Sequence, residues 1–262
     1  MNIFQEYAAY YDLLYQDKDF AREANFVHRL IQRQVPGAIS LLDLGCGTGA
    51  HATIFAEMGY SVHGVDQSSK MLEQADRRRQ ALAPEVRARL FVEQNDVRTL
   101  RLNKTFDAIV LLFHVISYQT SDADLQSCFA TIADHLDSNG IVLFNFWYGP
   151  AVLAHPPVLR NKTFEDEKFK ISRVANPLMQ PNNNVVDVHY NIIATEKETR
   201  KRHQFMECHR MRYLFKSELD LFLEEAGLTS NSFGEWLTEK PPQRDTWNVF
   251  VSATRPCSRN SG

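Results

Sequence analysis

The chain has 262 residues, 44% of them hydrophobic and 23% charged, with a formal net charge of -3. That length supports a sizeable buried core, and that balance argues against both a disordered chain and a membrane-embedded one. A faintly acidic protein is poorly suited to hold a nucleic-acid backbone, so the expected partner is a small molecule.

Tyr7, Tyr10, Tyr11, Leu14 and Tyr15 crowd the first stretch, followed by Lys18, Phe20 and Arg22. They read as a long aromatic helix that packs on a sheet or closes over a site. Leu41 to Leu44 is a short buried strand, then a glycine turn and a helix through Phe55 and Met58 that Gly59 can cap. Ser61 to Val65 is the next strand, ending at Asp66, and a helix from about Ser68 carries Met71, Leu72 and Ala75 on one face. Arg77-Arg78-Arg79 closes it as a solvated end favoured by the helix dipole. Strands follow at Arg89 to Glu93 and Asp107 to Phe113.

Leu125, Phe129, Ile132, Ala133 and Leu136 repeat at helical spacing after Ser121, with Ser138-Asn139-Gly140 as the predicted stop. Ile141 to Phe146 is another buried strand. This alternation predicts a doubly wound α/β sheet over residues 1–146, with ligands bound beyond the carboxyl ends of its strands.

After Trp147 the rhythm changes. Lys170 to Val174, Val185 to Ala194 and His203 to Phe215 read as antiparallel strands, an inserted β patch over 147–215. Tyr190, Phe205 and Tyr213 give it an aromatic edge suited to pairing two copies of the chain. Residues 216–262 complete the sheet, with Ser217-x-x-Asp220 as a capping box, Gly227 as a stop and Trp247 to Thr254 as the last strand.

Cys46, Cys128, Cys208 and Cys257 are scattered, with no Cys-x-x-Cys pair and no histidine cluster. Free thiols in a reducing cytoplasm are expected, and no metal. The opening residues lack the basic-then-apolar order of a signal peptide.

The central signal is Leu41-Leu42-Asp43-Leu44-Gly45-Cys46-Gly47-Thr48-Gly49. Its glycines let the backbone turn sharply off the strand and approach a ligand where a Cβ would collide. Asp66, one βα unit on, can accept both hydroxyls of a ribose, and Asp96-Val97 follows the third strand toward an adenine edge. Gly45-x-Gly47-x-x-Ala50 also fits the dinucleotide fingerprint. Against a nicotinamide enzyme stand Asp43, whose charge would repel a pyrophosphate but suits an ammonium or a bond to the loop, the third acid Asp96, and the aromatic segment ahead of the sheet.

Taken in order, these motifs and the Phe106-Asp107 strand resemble those of the class I S-adenosylmethionine-dependent methyltransferases. The resemblance implies that Gly45 and Gly47 line the methionine part of S-adenosylmethionine, Asp66 the ribose, Gln67 and Met71 the adenine face, and Asp96 with Val97 the adenine edge. It places Phe113 and His114 where the fourth strand opens into the site. Tyr15 and Arg22 would close the cofactor side, with Arg22 paired to its carboxylate.

Tyr11-Asp12-Leu13, Lys18-Asp19-Phe20 and Arg22-Glu23-Ala24 are similar to the opening of N-methyltransferases that act on nucleotide-linked amino sugars. Three positions depart from that pattern: Ile3 and Tyr118 replace a tyrosine and a histidine near the acceptor amine, and Asp245-Thr246-Trp247-Asn248 replaces a Gly-Arg-Gly run. The expected chemistry is direct methyl transfer to a nitrogen, with O-methylation of a saccharide or small metabolite, or a non-enzymatic cofactor-binding module, as alternatives. Tyr118 is the candidate for orienting the acceptor, His114 for taking its proton, with Tyr11 beside them. Tyr7, Trp147, Arg173 and His209 are the candidates for holding the acceptor.

Overall fold

The computed structural model describes Phe4 and residues 6–256. Ile3, Cys257 and the polar tail after Pro256 lie outside these residues. Among the described residues eleven strands form two sheets: β1 (Ser40–Leu44), β2 (Ser61–Asp66), β3 (Leu90–Gln94), β4 (Phe106–Leu111), β5 (Leu136–Trp147), β10 (Thr229–Glu235) and β11 (Asn248–Thr254) make the first, in the order β10-β11-β5-β4-β1-β2-β3. β1 pairs in parallel with β2 on one side and β4 on the other, so the chain order reverses at β1, where such sheets open a crevice. β11 runs antiparallel to β5, and β10 antiparallel to β11.

Strand alternation sends Leu42 and Leu44 to one face and Leu41 to the other. The first face packs on Leu125, Phe129 and Ile132 and on Leu219 and Leu223, from helices spanning Asp122–His135 and Lys216–Glu225. The second packs on Phe26, Val27 and Ile31 of Phe20–Gln34 and on Ala52 and Phe55 of Ala50–Glu57. The side chains named in both layers are almost completely buried.

Several local expectations shift. The helix before β5 stops at His135, not at Ser138-Asn139-Gly140, and the chain enters β5 at Leu136. Gly140 instead permits close strand approach: a Cβ there would lie 3.0 Å from the Phe106 carbonyl oxygen. The last helix is opened by Glu218, which accepts the Phe215 N–H at 3.3 Å, while Asp220 pairs with Lys216.

The inserted strands β6 (Arg160–Glu165), β7 (Phe169–Gln180), β8 (Val185–Glu196) and β9 (Arg202–Arg212) form one antiparallel sheet. Its inner face presents Phe164, Ile171, Ile192 and Phe205 to Tyr7, Tyr11 and Leu14. The aromatic N-terminal segment is therefore not one long helix on the main sheet. It is two short turns, Tyr7–Tyr10 and Tyr11–Leu14, packed between the second sheet and Met71. Phe205 and Tyr213 are buried and Tyr190 packs inward, so the aromatics expected on an exposed edge belong to the interior. Among the described residues no helix is long and apolar enough to cross a membrane.

Candidate active site

A cavity of about 990 Å³ opens at the carboxyl ends of β1, β2 and β4, and the N-terminal turns and second sheet roof it. Its volume is at the upper end of what small-ligand sites use. Gly45, Gly47, Asp66, Gln67, Met71 and Val97 line one end; Tyr11, Tyr15, Phe113, His114, Tyr118, Trp147 and Arg173 line the other.

The loop after β1 holds left-handed backbone at Gly45 (φ 82°) and Gly47 (φ 55°), where glycine is free of Cβ strain. Its first turn is fixed by two N–H groups, those of Gly45 and Cys46, on the Val65 carbonyl at 2.7 and 3.0 Å. Asp66 ties down the next part, accepting the Gly47 N–H at 2.9 Å and the Ser68 N–H at 2.8 Å. Burial raises the Asp66 carboxyl above the usual carboxylate range, while these donors pull it back.

Asp43, 2% exposed, makes no such tie. Its Oδ2 is buried without a hydrogen-bond partner, and burial, with Asp66 adding to it, pushes its pKa up to about 7. Beside it lies a small hollow walled by Tyr11, Phe20, Gly45, His51 and Phe113. A buried acceptor lacking a partner is costly, and a cationic donor seated in that hollow would supply one.

Arg22 is exposed and outside the cavity wall, with only its backbone N–H engaged, on Asp19 at 2.8 Å. Lys18 is better buried: its Nζ sits behind the cavity wall, 4.2 Å from the Phe113 ring centre, and pairs with Glu23. Glu23 also meets His51 Nε2 at 2.8 Å and accepts from the Trp236 indole at 3.1 Å. Burial alone would raise the Glu23 carboxyl; His51 and Lys18 hold it down to about 2.

Asp96 does not line the cavity. Arg98 clamps its carboxylate, with Nη2 at 2.6 Å, and bridges to Asp124 at 2.6 Å. Val97 and Arg98 take its place in the wall. Arg78, expected to be a solvated helix end, instead donates to the Thr48 carbonyl at 3.2 Å and pairs with Asp12 at 2.7 Å. The Thr48 hydroxyl reaches the same aspartate at 3.0 Å, so Asp12 clips the N-terminal turns to the glycine loop.

His114 lies just beyond β4 in left-handed backbone (φ 66°), its N–H on Asn145 Oδ1 at 3.2 Å. Burial, helped by Lys18, drives its pKa down to about 3. It is thus a neutral and feeble base, which removes it as the acceptor of a proton at neutral pH.

Tyr118 faces the cavity, and its hydroxyl lies 2.9 Å from His209 Nδ1. His209, 2% exposed, is behind the wall rather than in it, and its Nε2 is 3.2 Å from Glu207. Glu207 accepts the backbone N–H groups of Phe4 and Tyr7 at 2.9 and 3.2 Å. Tyr7 is also fully buried: its hydroxyl meets Tyr15 at 3.0 Å and receives Arg173 Nη1 at 2.8 Å. The Arg173 guanidinium also sits 5.5 Å from the Tyr15 ring centre and 5.4 Å from that of Tyr190, a caged cation. Glu207 was missed in the sequence, although Glu207-x-His209 on a strand puts both on one face.

Residues 41–140 match the family model described as a methyltransferase domain. The glycine loop, Asp66 and the orphaned Asp43 oxygen all fall within that methyltransferase domain, and the match supports an enzyme that uses S-adenosylmethionine. The chain is 29% identical over 225 residues to the dTDP-3-amino-3,4,6-trideoxy-alpha-D-glucopyranose N,N-dimethyltransferase of Streptomyces venezuelae, covering 85% of this chain and 90% of that one. Among solved structures it is similar to an amino pentose methyltransferase from Micromonospora echinaspora, at 25% identity and TM-score 0.74, covering 98% of this chain and 99% of that one. A sugar N-methyltransferase from a Streptoalloteichus species matches at 25% identity and TM-score 0.77, over 94% and 93% of the two chains.

Proposed function

We propose that this enzyme methylates the amino nitrogen of a nucleoside diphosphate-linked amino sugar. The observation that carries the reading is the reach of the similarity. The dTDP-amino-sugar relative aligns over 225 residues, well past residues 41–140 and into the second sheet that roofs the cavity. The segment 147–215 is on this reading the acceptor-binding insert, between a cofactor-binding half (1–146) and a closing segment (216–262).

When bound, S-adenosylmethionine supplies a methyl group already activated on a sulfonium. The protein's task is then to hold the acceptor lone pair in line and keep water out; good alignment is worth roughly 7–11 kcal/mol. Asp43 takes the ammonium of the methionine part and Lys18 its carboxylate, the role expected of Arg22. Gly45 and Gly47 allow its close approach, Asp66 holds the ribose, and Gln67, Met71 and Val97 enclose the adenine, with Asp96 bracing that wall through Arg98. Tyr11, Tyr15, Phe113 and Trp147 form a dry aromatic chamber around the transferring group, and Arg173 with Tyr7 fixes its far wall. Tyr118 orients the acceptor amine.

The enzyme is a cytoplasmic protein on this reading, and two copies pair through the outer face of the second sheet, where Leu178 and Met206 are 52% and 79% exposed. Sedimentation of Met206→Glu as the same species as the parent would remove the pairing. The functional test is mass spectrometry of the enzyme with S-adenosylmethionine and a panel of dTDP-amino sugars, free amino sugars and hydroxylated metabolites. Mass gains of one or two methyl groups confined to the dTDP-amino sugars are expected. Gains only on hydroxyl-bearing compounds lacking an amine would overturn the amine reading.

A further inference from the structure

We infer that Tyr118, His209 and Glu207 form a proton relay that carries the acceptor's ammonium proton out of the cavity. This deepens the amine reading above and rests on it. An alkylamine arrives largely as its ammonium at neutral pH, and that form has no lone pair to attack with. Something must take the proton, and His114 is too weak a base to do so.

The geometry supplies a route. Tyr118 is on the cavity wall, its hydroxyl 2.9 Å from His209 Nδ1. His209 Nε2 is 3.2 Å from Glu207 Oε2. A carboxylate beside Nε2 fixes the tautomer with hydrogen there, leaving Nδ1 as the acceptor for the tyrosine, the same division of labour as in a serine–histidine–aspartate triad. Glu207 is itself anchored by the Phe4 and Tyr7 N–H groups, at 2.9 and 3.2 Å, so it cannot swing away.

In the step, the ammonium proton passes to the Tyr118 oxygen as the Tyr118 proton passes to His209 Nδ1. The imidazolium so formed already has its Nε2–H on the Glu207 carboxylate, and later releases a proton to solvent. The freed nitrogen lone pair forms the N–C bond as the methyl–sulfur bond breaks, and the sulfur keeps that bond's electrons.

Burial, then Tyr15 and Tyr190, holds the Tyr118 phenol well above its ordinary pKa. Tyr118 therefore conducts a proton instead of standing as a phenolate. The groups around the relay are Tyr7 and Tyr190, with rings 5.3 and 4.9 Å from His209, Phe4 at 4.7 Å, and Asp66 and Tyr15 on the Tyr118 side. Arg173 is the nearby cation, bound to the Tyr7 hydroxyl.

Two measurements test it. Nitrogen-15 NMR of the cofactor-free enzyme is expected to show His209 protonated on Nε2 and bare on Nδ1; hydrogen on Nδ1 would overturn the relay. The second is the pH dependence of kcat with a dTDP-amino sugar for the parent, Tyr118→Phe, His209→Gln and Glu207→Gln. Tyr118→Phe keeps the ring, so it guards against a failure of His209→Gln to fold. Both variants are expected to lose about 100-fold in kcat at pH 7. The loss should shrink about tenfold per pH unit, as the free amine forms without help. The Glu207→Gln, His209→Gln double variant should be no worse than His209→Gln alone. Profiles parallel to the parent, with the change confined to KM, would make His209 a packing residue and sink the relay. If the parent methylates no amine, the reading beneath it fails in its own assay and the relay falls with it; if it does, an Nδ1-protonated His209 or parallel profiles overturn the relay alone.

Discussion

Asp43→Asn is expected to stabilise the cofactor-free enzyme and cripple cofactor binding, an opposition that follows from one buried oxygen. Asp43 is 2% exposed, its Oδ2 has no hydrogen-bond partner, and its pKa is raised from 3.8 to about 7 by burial and by Asp66. The folded protein thus holds the proton more tightly than the unfolded chain does. For a carboxyl raised in this way, the stability contribution is complete below the unfolded pKa and is lost as pH rises through the folded one. Between roughly pH 4 and 7 the parent should therefore weaken, by at most about 4 kcal/mol at 1.36 kcal/mol per unit. Asparagine has nearly the same shape and no charge, so its stability should not follow that slope. Since the amide must also find bonds, we expect about half of that bound, roughly 2 kcal/mol at pH 8, or a Tm gain of about 4–8 °C. At pH 4, where the parent carboxyl is protonated, the variant should melt no higher than the parent, and its advantage should open as pH rises. Calorimetric melting of both at pH 4, 6 and 8, beside titration with S-adenosylmethionine, reads the stability gap and the affinity loss. A gap that does not change with pH would refute the account, because a charge-independent effect of the substitution would explain it.

Asp66→Ala removes the acceptor of two loop N–H groups as well as the proposed ribose contact, and should weaken cofactor binding by about 100-fold or more in calorimetric titration. Lys18→Met should weaken it about tenfold, whereas Arg22→Ala, exposed and outside the cavity, should leave the dissociation constant unchanged; the reverse result would restore Arg22 as the carboxylate partner. Gly45→Ala would put a Cβ 2.5 Å from Val115 Cγ2 at φ 82°, so a loss of more than about 2 kcal/mol in urea unfolding is expected. Adding Val115→Ala should relieve the two closest contacts but not the backbone strain.

The first sheet was readable because its inner strands and helices carry their burial in the sequence pattern: Leu41 to Leu44, Ile141 to Phe146 and the Leu125–Phe129–Ile132 stripe leave little choice of period. The strands that escaped notice, β6 and β10, are both edge strands. β6 buries only Phe164 and β10 only Gly234, so their polar residues mask the pairing. The cofactor end was legible in part: Gly45, Gly47, Asp66, Gln67, Met71 and Val97 line the cavity, whereas Asp96 is held by Arg98 behind the wall and Arg22 is exposed. The acceptor end was less so. Tyr118 meets His209 across 91 residues of chain and Glu207 accepts the Phe4 amide across 203, and no local spacing announces such contacts.

The misread N-terminal segment shows why the two ends of the cavity are one device. As a continuous helix it would have offered a single face to a single sheet. As two short turns it presents its backbone and side chains to four elements: Phe4 and Tyr7 amides to Glu207, the Tyr7 hydroxyl to Arg173, the Phe4 carbonyl to Ser68 at 2.8 Å, and Asp12 to Thr48 and Arg78. The second sheet, the glycine loop and the helix after Asp66 thus share one short wall, which also supplies Tyr11 and Tyr15 to the cavity. The same segment meets the glycine loop through Asp12 and holds Glu207 beside His209 through the Phe4 and Tyr7 amides. One segment thus braces both ends of the cavity, and among its described residues none sits in a regular strand.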